Sequence, residues 1–262
     1  MIVDIHTHIF PPRLIEDRVR LAALDPAFGE LYGDPKAKMA TAGDLLASMQ
    51  QAGVDVSVAC GFWWRDPAVA VEHAAYLVES AAASGGRIIP FVPQPASLAP
   101  AGAAGIGEVR EVDPGRIEGG TLPALVHVSE EVGHAYRGKS GGLAPGDVWR
   151  LLEAQPDARV IAAHWGGGLP FAALMPEVHA LLEADRLIFD TAASAYLYEP
   201  AVFRLGLELA GRGGVAWGSD FPLRPQSRDR AEVEAALPDP ADRAAVLGEN
   251  AARFLRLVAP AG

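Results

Sequence analysis

The residues that could do chemistry recur at one kind of place, just after a short apolar run. Asp4-Ile5-His6-Thr7-His8 closes the first such run of the chain. On a β-strand, residues i and i+2 point to the same side, so the imidazoles of His6 and His8 can converge on one metal ion. An isolated H-x-H could equally be two solvent-exposed histidines near a terminus. Three further residues separate these readings. His127 follows Ala-Leu-Val, His164 follows Val-Ile-Ala-Ala, and Asp220 follows Val-Ala-Trp-Gly-Ser. Four histidines and an aspartate in equivalent places make a nitrogen and oxygen donor set suited to zinc or a similar divalent ion. His73 and His179, by contrast, fall inside helix patterns and read as structural or solvent-facing, and His134, on the loop after the fifth run, reads first as a plain loop residue and second as one that reaches the site.

The elements that must carry these residues follow from the hydrophobic pattern. Apolar, β-branched runs occur at 2–5, 54–59, 87–92, 106–109, 124–128, 159–163, 187–190 and 215–218. They are continuous rather than alternating, as parallel strands covered on both sides should be. Between them lie helix patterns at 42–52, 67–84, 145–154, 176–184, 200–210 and 229–236, several opening with Pro, Asp or Ser. This alternation predicts an α/β fold, a (β/α)8 barrel whose strand ends form one rim, where barrel active sites lie. The stretch 111–123 is too rich in Gly and Pro for a full helix, so the fourth crossover is expected to be short or irregular. Residues 10–38 are long for a first loop and are expected to form an excursion over the barrel mouth. No linker, repeat or charge run marks a second domain, so 1–262 reads as one barrel domain.

Composition narrows the function classes. A chain of 262 residues, half of them hydrophobic, can bury a large core. The formal charge of −11 argues against nucleic acid and anionic membrane as partners, leaving a small-molecule substrate. No stretch approaches the ~20 apolar residues of a membrane span, and the first ten residues lack the pattern of a signal peptide. Cys60 is the only cysteine, which excludes an internal disulfide and fits the cytoplasm. A homodimer stays open.

Several longer segments, DIHTHIFP at 4–11, VIAAHWGGGLPF at 160–171, FDTAAS at 189–194, WGSDFPL at 217–223 and LGENAARFL at 247–255, span nearly the whole chain. In these segments the sequence resembles the amidohydrolase superfamily, in the branch similar to aminocarboxymuconate-semialdehyde decarboxylase. The resemblance implies a (β/α)8 barrel in which His6, His8, His127 and Asp220 bind one divalent metal, most simply zinc. It implies that His164 stands beside the metal-bound water as acid–base and electrostatic partner. In some members a glutamate at the end of the fourth strand bridges two metals, and Glu108 occupies that place. Glu108 is read first as a surface or salt-bridged carboxylate, because burying it demands a partner, and second as such a bridge.

Around this set, Asp4, Thr7 and Ser219 are expected to hold the ligands by hydrogen bonds. Gly166, Gly167 and Gly168 are expected to leave room for substrate beside His164, with Trp165 walling the pocket or simply packing. Tyr136, Arg137 and Lys139 lie on the loop after His127; the two cations are either clamps for an anionic substrate or solvated surface charges. Two reactions suit the set. The main expectation is hydrolysis, in which a metal-activated water attacks a carbonyl, Asp220 takes the proton and His164 polarises the carbonyl. The alternative is non-oxidative decarboxylation of a small unsaturated or aromatic acid, with Asp220 or His164 protonating carbon. A catalytically dead barrel used as a scaffold is disfavoured by the complete ligand set.

Overall fold

A computed structural model describes residues 1–93, 101–111, 117, 121–130, 132–139 and 141–257. Eight strands form one sheet in sequence order, every neighbour pair parallel. They are β1 (Val3–His8), β2 (Val56–Cys60), β3 (Ile88–Val92), β4 (Gly105–Val109), β5 (Ala124–Val126), β6 (Val160–Ala162), β7 (Leu187–Asp190) and β8 (Val215–Ala216). The last strand closes onto the first: Ile5 N donates to Trp217 O at 2.9 Å, Asp220 N to His6 O at 2.9 Å and His8 N to Phe221 O. The fold is a (β/α)8 barrel, as the alternation of runs predicts. The expected irregular fourth crossover lies largely outside the described residues.

The helices form where the local chemistry starts and stops them. Helix Ala42–Ala52 opens on a capping box between Thr41 and Asp44, buries Leu45, Met49 and Ala52 on one face, and ends at Gly53 with φ +63°. Helix Pro67–Ala83 is capped by the Asp66 carboxylate, with proline at the first position where its missing N–H is not needed. The expected excursion after β1 is a set of short helices, Pro12–Glu16, Arg18–Leu24 and Pro26–Tyr32. It is pinned by its own aromatic cluster, in which Phe10, Phe28, Phe62 and Trp64 are buried and meet edge to face. His73 belongs to this cluster. It accepts the Trp64 indole N–H at 2.9 Å and reaches Ile9 O at 2.7 Å, and burial pulls its pKa down to about 4, so it is neutral and structural.

The core has two layers. Side chains between strands and helices form the larger, and inward residues including Val3, Ile5, Val58, Phe91, Leu125, Ile161 and Ile188 fill the barrel interior. Phe254, on the terminal helix Asn250–Leu255, joins the interior cluster. The Arg159 guanidinium, just before β6, lies 4.5 Å from its ring centroid. The plug therefore sits at the end of the barrel opposite the rim of His and Asp residues. Truncating Phe254 to Ala should cost about 3–5 kcal/mol, read as a lower denaturation midpoint in urea. Metal content and ligand binding of the folded fraction should not change. A variant as stable as the parent would show that the helix does not plug the barrel.

Candidate metal centre

At the rim, the ends of the strands bring together the side chains that the spacing singles out. His6 and His8, at the end of β1, face each other with their Nε2 atoms 3.0 Å apart. The pairing of β1 with β2 shifts register between Asp4 and Thr7, where the strand turns its polar end toward the mouth. Asp220 Oδ1 stands 3.7 Å from His6 Nε2 and 3.3 Å from His8 Nε2. Glu108, at the end of β4, lies 3.9 Å from His6 Nε2, 3.7 Å from His8 Nε2, 2.6 Å from His127 Nδ1 and 3.7 Å from His164 Nε2. Two trios of ligating atoms result, His6–His8–Glu108 and Glu108–His127–His164, each within 4.8 Å and sharing the glutamate. Glu108 is thus a salt-bridged carboxylate, but a buried one at the centre of the cluster and not on the surface.

What holds each ring decides which nitrogen faces inward. His6 Nδ1 donates to Asp190 Oδ2 at 2.8 Å, leaving the lone pair of Nε2 to face the cluster. Asp190, the last residue of β7, also accepts from the backbone N–H groups of His164 and Ala192 through its other oxygen. His164 Nδ1 donates to Ala192 O at 3.1 Å, so its Nε2 also points inward. His164 and Asp220 both adopt left-handed backbone, with φ of 57° and 58°. That conformation costs non-glycine residues about 1–2 kcal/mol, which marks a position held for use. Gly218 has to be glycine, because a Cβ there would stand 2.8 Å from His6 Cβ.

The charges show what the cluster is suited to hold. Burial opposes protonation of His6, but Asp190, Asp220 and Glu108 outweigh it and push the pKa up to about 10. Burial would raise the Asp220 carboxyl, yet the hydrogen bond from His8 and the charges of His6, His8 and His164 hold it below its ordinary range. Glu108 is likewise held well below its ordinary range, its burial overcome by His127, His164 and Arg110. The His164 pKa is raised, burial being outweighed by Glu108, Asp220 and Asp190, whereas burial and then Arg110 pull His127 down to about 4. Converging lone pairs and carboxylates demand positive charge between them, and this donor set fits a divalent cation. His6, His8, Asp220 and Glu108 could hold one ion, and His127 and His164 extend the set through Glu108.

The supporting residues fall out less uniformly. Asp4 accepts from Ser219 Oγ at 2.5 Å and Gln226 Nε2 at 2.8 Å, tying β1 to the turn that carries Asp220. Thr7 donates to Val58 O and so braces the sheet, not a ligand. None of the glycines after His164 lines the cavity over the cluster; open space lies beside Gly168, but a Cβ on Gly166 would stand 3.0–3.2 Å from Leu169 and Phe189. A Cβ on Gly167 would meet the Ser129 and Glu130 backbone at 3.0–3.2 Å, and its φ is +59°, so the residue is needed for close packing and a left-handed turn. Trp165 takes the packing alternative: buried, its indole donates to Ser194 Oγ and its ring meets Phe203.

Above the cluster opens a cavity of about 490 Å³, walled by Leu31, Tyr32, Tyr136, Tyr196, Leu197 and Leu223 over His8, Glu108, His127, His164 and Asp220. His134 and Arg137 also border it, Arg137 being 60% exposed and bonded to Asp34 at 3.0 Å. Lys139 is not among its lining residues. Its ammonium donates to Val132 O and His134 O of its own loop, so those carbonyls and not a substrate satisfy it. Sequence reasoning missed Asp190, Tyr32 and Arg110. Arg110 stands two residues beyond Glu108, the same spacing that pairs His6 with His8, and that signal was open to use.

Comparison with known proteins places this geometry. The sequence profile described as amidohydrolase matches residues 116–257. No curated protein matches the chain. Among solved structures it is similar to 5-carboxyvanillate decarboxylase from Sphingomonas paucimobilis, with TM-score 0.72 and 16% identity over 98% of this chain and 99% of that one. It is similar to 2,6-dihydroxybenzoate decarboxylase from Rhizobium, with TM-score 0.69 and 15% identity over 98% of each chain. It is also similar to a dihydroxybenzoic acid decarboxylase from a Polaromonas species holding manganese and 2-nitroresorcinol, with TM-score 0.71 and 14% identity over 98% and 97%. The expectation of a hydrolase is corrected by these likenesses, because each of these three structures, matched over nearly its whole length, is that of a decarboxylase. Among the described residues no helix is long and apolar enough to cross a membrane.

The orienting bond from His6 to Asp190 yields a direct test. Asp190→Asn should weaken divalent-metal affinity about 10–100-fold, measured by competition with a chelating dye, with little change in circular dichroism. Unchanged affinity would show that His6 is not a ligand.

Proposed function

The chain belongs to the amidohydrolase family, and from that premise we propose that it is a metal-dependent, non-oxidative decarboxylase of a small aromatic or unsaturated carboxylic acid. The observation that carries this reading is the cavity itself: a floor of imidazoles and carboxylates beneath walls of tyrosine and leucine, with about 490 Å³ to hold a small acid. The full-length likeness to decarboxylases of hydroxylated aromatic acids supports it.

In this reading His6, His8, Asp220 and Glu108 hold the divalent ion, and His127 and His164 join that set through Glu108. When bound, the ion supplies positive charge that fixes the substrate's carboxylate or a neighbouring oxygen. Zinc suits the nitrogen-rich set, and manganese is the alternative suggested by the Polaromonas relative. His164 is the proton carrier. Its Nδ1 is anchored on Ala192 O, its Nε2 faces the cavity, and its raised pKa lets it hold a proton there. The bond between the ring carbon and the carboxylate carbon breaks, CO₂ leaves, and the electron pair left on the ring carbon takes that proton. Asp220, held low, stays ionised through the cycle and serves as a ligand, not as the acid. Tyr32, Tyr136 and Tyr196 orient the ring.

Metal-reconstituted protein should release CO₂ from a member of a panel of hydroxylated benzoic and unsaturated acids. In D₂O the product should carry one deuterium at the vacated carbon. His164→Asn should lower kcat about 10²–10⁴-fold while metal content stays at the parental level. Absence of CO₂ from every acid, or native turnover in His164→Asn, would refute the assignment.

A further inference from the structure

Arg110 has no part in the donor set, yet it is one of the most constrained side chains at the site. It follows β4 directly, is 7% exposed, and lines the cavity beside Glu108, His127 and His164. One end of its guanidinium is anchored, Nη2 donating to Gly138 O at 2.6 Å. The other end is loosely matched. Nη1 lies 3.6 Å from Glu108 Oε2 and 3.4 Å from His127 Nδ1, outside the ~2.7–2.9 Å of a charge-assisted hydrogen bond. A buried guanidinium is built to meet a carboxylate with two parallel N–H groups, and among the described residues nothing at this end of Arg110 does so. Glu108 is an unsuitable long-term partner, since its oxygens already face His6, His8, His127 and His164.

The other cations bordering the cavity are placed differently. Lys38 donates to Leu223 O, and Arg137 is exposed at the mouth and paired with Asp34. Arg110 is the one held at the depth of the donor cluster, where water is scarce and an ionic hydrogen bond is strong. We propose that Arg110 is the specificity residue that recognises the substrate's carboxylate, turning the acid group of an aromatic acid toward the donor cluster. This rests on the decarboxylase reading for the identity of the acid. It carries a consequence for turnover: the group that Arg110 reads is the one that leaves, so the decarboxylated product loses its hold on the site.

Equilibrium binding tests this without turnover. Manganese-loaded protein is titrated with 2-hydroxybenzoate and with phenol, its decarboxylated counterpart, by calorimetry. The parent should bind 2-hydroxybenzoate more tightly. Arg110→Met should lose about ten- to a hundred-fold in affinity for the acid and little for phenol. Arg110→Lys, which keeps the charge but not the fork, should fall between. A parent without preference for the acid, an Arg110→Met variant that keeps it, or equal weakening of both ligands together with loss of manganese in both variants, would overturn the proposal. The last of these would make Arg110 a strut of the cluster. Failure of the decarboxylase reading is distinguishable: the parent would release no CO₂, yet Arg110 would still govern the preference for acid over phenol.

Discussion

The structure turns on one electrostatic constraint: acceptors converge on a point in the barrel mouth and repel one another unless a cation lies among them. The Nε2 atoms of His6 and His8 stand 3.0 Å apart with the Asp220 and Glu108 carboxylates within 4 Å. No folded chain assembles such a group for stability alone, because each buried carboxylate and each unpaired lone pair costs free energy. The pull toward positive charge is visible in His6, raised to about 10 against the effect of its burial.

Much of the surrounding architecture answers this constraint. Asp190 and the Ala192 carbonyl fix the rings from behind, and Asp4, Ser219 and Gln226 lace β1 to the turn bearing Asp220. The left-handed backbone at His164 and Asp220 is held against its cost by those same bonds, including His164 N to Asp190 and Asp220 N to His6 O. The barrel interior below is filled by buried apolar side chains, giving the cluster a low-dielectric floor. Above it, the helices of the first excursion are pinned by aromatic packing that places Tyr32 and Leu31 at the cavity wall.

All eight strands and the convergence of His6, His8, His164, His127 and Asp220 were legible in the sequence, because apolar runs and the residues that end them are local signals. What partners lie across the barrel was not. That Asp190 on β7 orients His6 on β1 depends on closure of the sheet, and Glu108 acquired buried partners only from three other strands. Gly166 and Gly167 were misread because a missing side chain looks the same in sequence whether it admits a substrate or a packed neighbour. Lys139 stayed open between substrate clamp and surface charge for a similar reason: proximity along the chain to His127 did not reveal the loop carbonyls that accept from its ammonium. The hydrolase expectation followed the breadth of the superfamily, whereas the solved structures matched over nearly their whole length include named decarboxylases.

The central claim, that the cluster is shaped around a cation, is most directly tested by anomalous diffraction from crystals soaked in manganese. The account predicts one strong peak among His6 Nε2, His8 Nε2 and Asp220, at about 2.0–2.3 Å from each, with Glu108 turned toward it. Anomalous maps without a peak at this position, with the two imidazoles still in direct contact, would contradict it.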